Sequence, residues 1–236
     1  MTGNPLRRAV ARLAEFARVR ILYLRLRLRT PTFRLLGRSY PIQVSWYNRT
    51  WRNERQVELP PILELVRQTD PGEILEVGNV LAHYGQAGHV VVDKYEDAKG
   101  TLRVDVVDYH PGRRFRLIVA ISTLEHVGWD EPEKDPAKFD LALDHLVHLL
   151  APGGQLWATI PRAHNPGADA FLDHPRAGFS VSFLVRRSPR PGDWAEVASA
   201  TAADNPYRPE IPSAQAIGVI RYGMPAREER GSGSGS

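Results

Sequence analysis

The chain contains no cysteine. Disulfides, thiolate metal centres and thiol nucleophiles are therefore excluded, and cysteine pairing says nothing about the compartment. Long apolar runs are also missing. None reaches the roughly 18–20 residues that a transmembrane helix requires. In the first thirty residues arginines interrupt every apolar stretch, and no small-residue cleavage site follows one, so no secretory leader is read there. The expectation is a cytoplasmic protein. Internal repeats are absent too.

What is present suffices for one α/β domain: 236 residues, 42% of them hydrophobic, can close a full core with segments to spare. Charge is unevenly placed. Residues 1–40 hold ten arginines against the single acid Glu15, a net +9, so with +4 in total the rest of the chain carries −5. The basicity belongs to an arm and not to the domain. Four segments follow: a basic arm over 1–39, a polar and aromatic connector or lid over 40–72, a main domain over 73–226, and a flexible Gly/Ser tail over 227–236.

The arm permits two periodicities. Val10, Leu13, Ala14 and Ala17 suit one helical face, whereas ILYLRLRLR alternates as a strand does, although leucine and arginine favour helix. A solvated helix packing a leucine stripe on the domain, attachment to an anionic membrane surface, and recruitment of a protein partner all fit it. Nucleic acid is disfavoured, because Phe16, Tyr23 and Phe33 are a thin set for stacking bases. In the connector, Pro60-Pro61 is expected to end whatever precedes it, with a short helix from Ile62 to Arg67.

After the Asp70-Pro71-Gly72 turn the rhythm becomes strand, helix, strand. Strands are predicted at Glu73–Val77, His89–Asp93, Leu102–Val106, Phe115–Ile121, Gln155–Ile160, Phe179–Val185 and Ala216–Arg221, with an amphipathic helix over Pro136–Leu150 and a Pro152-Gly153-Gly154 turn after it. The fold class is α/β, a doubly wound and mostly parallel seven-stranded sheet.

Such sheets bind ligands beyond the carboxyl ends of their strands. Acids stand at those ends. Asp93 can accept from the vicinal hydroxyls of a ribose, Asp105 from an exocyclic amine of adenine, and Glu76 from a loop amide or a ligand ammonium. A pocket lined by acids repels pyrophosphate and suits a cationic cofactor, which points to S-adenosylmethionine. His126 is the general-base candidate, since an ordinary imidazole titrates near pH ~6.5, with Glu125 orienting it or closing the pocket. His145 and His148 have a helical spacing that metals can use, yet no third ligand accompanies them, and no metal site is predicted. His164, Asn165, Asp169 and Asp173 follow the fifth predicted strand and offer hydrogen bonds to a polar acceptor.

ILEVG, VVVDKYE, VDVVDY, LIVAISTLEHVG and LLAPGGQLWATIP stand in an order and spacing that resembles the class I S-adenosylmethionine-dependent methyltransferases, over Ile74 to Pro161. The resemblance implies a Rossmann-like sheet with an antiparallel finish. By position it implies Glu76 and Gly78 in the first motif, Asn79 beside the methionine portion, Asp93 at the ribose with Lys94 next to it, Asp105 and Val106 flanking the adenine, and Ile121 and Ser122 under the transferable methyl. It further implies methyl transfer to an oxygen or nitrogen of a small molecule or glycan intermediate.

One departure is plain. The family's first motif has three spaced glycines, and here only Gly78 remains, with Val80 and Ala82 in place of the others. A short helix started early and capped by Asn79 would keep the loop open. Two other readings stay: a non-catalytic relative that recruits a partner or membrane through its arm, and an NAD or nucleotide-sugar enzyme, which would need phosphate donors at this turn.

Overall fold

The computed structural model describes residues 5–200 and 213–223; the tail expected at 227–236 lies outside them. Helix α1 runs from Pro5 to Leu28, so helix propensity prevails over the two-residue alternation. It docks through Val19 and Leu26, which are buried, and through Tyr23, whose ring meets Trp46 at 5.3 Å and Trp51 at 5.2 Å. The face of Val10, Leu13, Ala14 and Ala17 is exposed.

A hairpin not foreseen in the sequence follows, β1 (Thr32–Leu35) and β2 (Arg38–Pro41), closed by Leu36-Gly37. Both turn residues have positive φ, 54° and 69°, which matches the turn to the twist of the strands.

Helix α2 (Arg55–Gln68) passes through Pro60-Pro61, against expectation. Proline at 60 cannot donate to the carbonyl of Gln56, but the Gln43 amide does so at 2.8 Å, and the break is repaired from outside the helix. Leu59, Ile62 and Leu63 are buried, each contributing about 1.5–3 kcal/mol.

The main sheet has eight strands, one more than predicted. They are β3 (Ile74–Val77), β4 (Val90–Val92), β5 (Thr101–Leu102), β6 (Phe115–Ile121), β7 (Leu150–Pro161), β8 (Phe179–Arg186), β9 (Trp194–Val197) and β10 (Ala216–Tyr222), in the order β5-β4-β3-β6-β7-β10-β8-β9. The extra strand, β9, forms in the polar segment after β8. Pairing is parallel from β5 to β7 and antiparallel from there on. This is the class I methyltransferase-like, Rossmann-like α/β fold, antiparallel finish included. The predicted Pro152-Gly153-Gly154 turn sits inside β7, where the register with β6 slips between Phe115 and Leu117.

Alternation along β6 makes the two cores. Leu117, Val119 and Ile121 face α1, α2 and the connector; Ile118 and Ala120 face α3 (Lys138–His148) and α4 (Pro166–Asp173). The crossovers flanking β4 and β5 are short. Residues 78–89 hold only a 3-10 helix, Leu81–Tyr84, and residues 103–114 another, Val106–Asp108. The sheet reverses direction of growth at β3, between β4 and β6. That is the switch point where such sheets open a crevice.

Candidate functional site

A cleft of about 630 Å³ opens there, a size that suits a nucleoside-type ligand. Six valines line it: 77, 80, 92, 104, 106 and 127. They make an apolar slot fit for a flat ring. Around them stand five carboxylates, Asp93, Glu96, Asp105, Asp130 and Glu131, and one lysine, Lys94. The excess of negative charge repels phosphate and attracts a cation.

The turn after β3 explains the missing glycines. Gly78 has φ +85°, and a Cβ there would lie 2.3 Å from Thr123 Oγ1, so this glycine is fixed by the protein itself. The Val80 and Leu81 amides are taken up inside the protein. Val80 N and Leu81 N donate to the buried Glu76 Oε1 at 2.8 and 2.7 Å, while His89 Nε2 meets Glu76 Oε2 at 2.7 Å. Glu76 therefore secures the loop from below and does not line the cleft. The 3-10 helix has no side-chain cap, and Asn79, expected as that cap, donates to Glu96 Oε1 at 2.9 Å across the cleft. With the amides satisfied from beneath, Val80 and Ala82 need no glycine.

Asp93 closes β4. Its Oδ1 accepts from the Tyr95 and Glu96 amides, both at 2.8 Å, which leaves Oδ2 for a ligand. Lys94 turns away from Asp93 to Asp105 Oδ2 (2.8 Å) and Glu131 Oε1 (2.9 Å); Lys138 reaches the same two oxygens at 2.7 Å. Burial pushes the Asp105 and Glu131 carboxyls up, but the bonds from Lys138 and Lys94 outweigh it and hold both below the ordinary carboxylate range. Asp105 Oδ1 accepts from Val107 N at 3.3 Å. The acid expected to meet an adenine amine is thus engaged by lysines at the cleft wall, and Val106 beside it lines the slot.

Beneath the far end lies Ser122, held at φ +42°. Its amide donates to Thr159 O at 2.9 Å and its Oγ donates to the buried Glu58 Oε1 at 2.5 Å. Arg55 joins Glu58 (2.9 Å) to the carbonyl of Ile121 (2.8 Å). Ile121 is fully buried and supports the floor without lining it. The connector's α2 thereby builds the floor of the cleft from below; Glu58 carried no signal in the sequence, lying 64 positions before Ser122.

Glu125 is buried, and its Oε2 has no hydrogen-bond partner. Burial pushes its carboxyl well above the ordinary range, and the charge of Glu58 adds to this while Arg55 opposes it. A raised folded-state value favours the folded protein below about pH 4.5, the unfolded value, and that advantage is lost as pH rises towards the folded one. Glu125→Gln is therefore expected to be more stable than the wild type at pH 8, by on the order of 1–3 kcal/mol, with the difference vanishing near pH 4.5. Melting temperatures across that range check it, and a difference independent of pH would contradict it.

His126 lines the cleft. Its Nδ1 lies 2.6 Å from Asp130 Oδ2, and its Nε2 lies 3.7 Å from Glu125 Oε1. His164 Nε2 lies 3.3 Å from Asp130 Oδ1. Burial pushes the Asp130 carboxyl up, but the hydrogen bond and charge of His126 hold it below its ordinary value. Among the described residues these three also form a cluster whose ligand-type atoms lie within 4.8 Å. The 2.6 Å separation is that of a hydrogen bond; two ligands on one ion at bonds of about 2.0–2.1 Å stand roughly 3 Å apart. The other acceptor candidates hold the chain in place. Asn165 caps α4 through Gly167 N and donates to the carbonyls of Glu125 and Val127; Asp169 accepts from Ala163 N; Asp173 pairs with Arg162. His145 bonds the Tyr109 carbonyl and His148 that of Asp144. Sequence reasoning missed Asp130, Glu131 and Lys138. Asp130 had one signal, its position four residues after His126.

No protein-family model matches the chain, and no curated protein does. Solved structures are similar to it. The N-methyltransferase NodS from Bradyrhizobium japonicum aligns with 69% of this chain and 91% of its own at 16% identity and a TM-score of 0.43. The sugar N-methyltransferase KedS8 from a Streptoalloteichus species aligns with 75% and 92% at 14% identity and 0.37. An rRNA methylase from Streptococcus thermophilus aligns with 70% and 95% at 10% identity and 0.40.

Proposed function

We propose that this chain is an S-adenosylmethionine-dependent methyltransferase acting on an oxygen or nitrogen of a small molecule or glycan intermediate. The observation that carries the reading is Asp93: a carboxylate just after β4 that lines the valine-walled, acid-rich cleft, with only Oδ1 taken up by the turn. When bound, the cofactor supplies a methyl group activated on a sulfonium. The chain's own residues do the rest. Asp93 accepts from the ribose hydroxyls, and the valines hold the ring. Gly78 and Asn79 border the methionine portion, with Asn79 steadied by Glu96. Ser122, fixed by Glu58, marks the methyl end. Alignment of acceptor and methyl supplies most of the acceleration, and His126, held by Asp130, takes the acceptor's proton. The arm over 1–39 brings the enzyme to an anionic membrane surface or a protein partner, the 40–72 segment supports the cleft, and 73–226 forms its body.

The ligand class is tested by thermal shift of the full chain with S-adenosylhomocysteine, NAD and a nucleotide sugar. A shift with the first alone is expected. A shift with either phosphate ligand alone would assign the cleft to another chemistry. Once an acceptor is found, His126→Ala is expected to lower kcat by about 10²–10⁴ with cofactor Kd unchanged. Asp130→Asn, which changes a positioning residue, should lower kcat less, and an unchanged kcat in both would remove the base from the account.

A further inference from the structure

We infer that α1 is an interfacial helix that lies on an anionic membrane surface, on a row of side chains which the other described residues leave uncovered. The inference rests on how α1 docks and stands apart from the methyl-transfer reading.

Helix α1 carries two apolar rows. Val19, Tyr23 and Leu26 form the docked one, against Trp46 and Trp51. Val10, Leu13, Ala17, Ile21, Leu24 and Leu28 form the other, at steps of 3, 4, 4, 3 and 4. At 3.6 residues per turn the second row is turned about 155° from the first. It is open along its length, with Leu13 at 69% and Leu28 at 85% exposure. An apolar row recurring over five turns and covered by none of the described residues is not explained by packing on the domain, which uses the other face.

The flanks choose the occupant. Arg20 and Arg27 stand along one side of the exposed row, and Arg18, Arg25 and Arg29 along the other. Over its 24 residues the helix has seven arginines and one acid, Glu15. Two copies packed row to row would set arginine against arginine on both sides, a like-charge arrangement that opposes pairing. A nucleic acid answers the charge and leaves the leucines in water. An anionic bilayer surface answers both: leucines enter the headgroup boundary while arginine stems lie along it and their guanidinium groups meet lipid phosphates. The helix lies on the bilayer and does not span it, as no described helix is long and apolar enough to cross a membrane.

The test is flotation of the full chain with two kinds of vesicle, phosphatidylcholine alone and phosphatidylcholine with about one third phosphatidylglycerol. The wild type is expected to float with the second only. Leu13→Gln/Leu24→Gln/Leu28→Gln keeps every arginine, and Arg18→Gln/Arg25→Gln keeps every leucine; each should weaken binding by about tenfold or more. All five positions are exposed, so circular dichroism and the thermal shift with S-adenosylhomocysteine should match the wild type in both variants. Three results would overturn the inference: failure of the folded wild type to float with anionic vesicles, flotation of the leucine variant as well as the wild type, or a vesicle-free dimer that the leucine variant dissolves. The first would leave cofactor binding intact, so it is separable from a failure of the methyl-transfer reading.

Discussion

Asp93→Asn is expected to weaken S-adenosylmethionine binding by about tenfold to a hundredfold with almost no change in melting temperature, and Asp93→Ala to weaken it at least as much while also lowering stability. The two oxygens of this carboxylate divide the work. Oδ1 accepts from the Tyr95 and Glu96 amides and fixes the turn after β4; Oδ2 is left for a ligand in the cleft that Asp93 lines. Asparagine can keep the first function and reverses the second, offering a donor where a hydroxyl needs an acceptor. A hydrogen bond to a charged group contributes about 1.5–3 kcal/mol, or roughly one to two powers of ten in affinity. Alanine loses both functions, and the turn costs about a further 1 kcal/mol, as a lost cap does. Calorimetric titration of both variants separates the terms. An asparagine variant that binds like the wild type would remove the ribose from Asp93.

Glu76→Ala is expected to be the most destabilising single change at the site. The side chain is completely buried and serves three donors, Val80 N, Leu81 N and His89 Nε2. Without it, the Leu81 amide and an imidazole lose this partner inside the protein, at about 1–3 kcal/mol each, and the Val80 amide keeps only the Gly78 carbonyl, at 3.2 Å. The turn that carries Gly78 and Asn79 loses its anchor at the same time, so cofactor affinity should fall with stability. Glu76→Gln should be milder, since the amide oxygen can serve the loop and the His89 imidazole can change tautomer to accept from the new NH₂. Denaturant midpoints of the two variants check this. An alanine variant within about 1 kcal/mol of the wild type would show that the loop stands without its buried anchor.

How much of this was legible depends on the range of the interaction. Phe115–Ile121 was readable because an apolar run in a buried parallel strand needs no partner to announce itself. The acids ending β4 and the third predicted strand were readable because strand direction alone places them at one edge. The valines of VVVD and VDVVD were visible as strand residues, and only their convergence made them a slot. Local rules failed where a distant group decides. Proline at 60 ends a helix unless something bonds the Gln56 carbonyl, and Gln43 does. A glycine-poor turn looks degraded unless its amides are satisfied from below, and Glu76 does that. Ser122 and Glu58 meet across 64 positions, and Asp105 finds Lys138 across 33. β9 and the β1–β2 hairpin were missed because short edge strands take their identity from neighbours more than from composition. For α1 the sequence left helix and strand periods open and named no docking face, since two apolar rows on one helix cannot be ranked without the surface that covers one of them.

If the glycine-poor turn and the acid-rich slot make a working cofactor site, the wild-type chain binds S-adenosylmethionine and S-adenosylhomocysteine in calorimetric titration. Saturable one-to-one binding of both, with dissociation constants in the micromolar range, is the result predicted. Absence of binding by a protein shown to be folded would contradict it, and the chain would then stand as a binding protein that keeps the sheet without the chemistry.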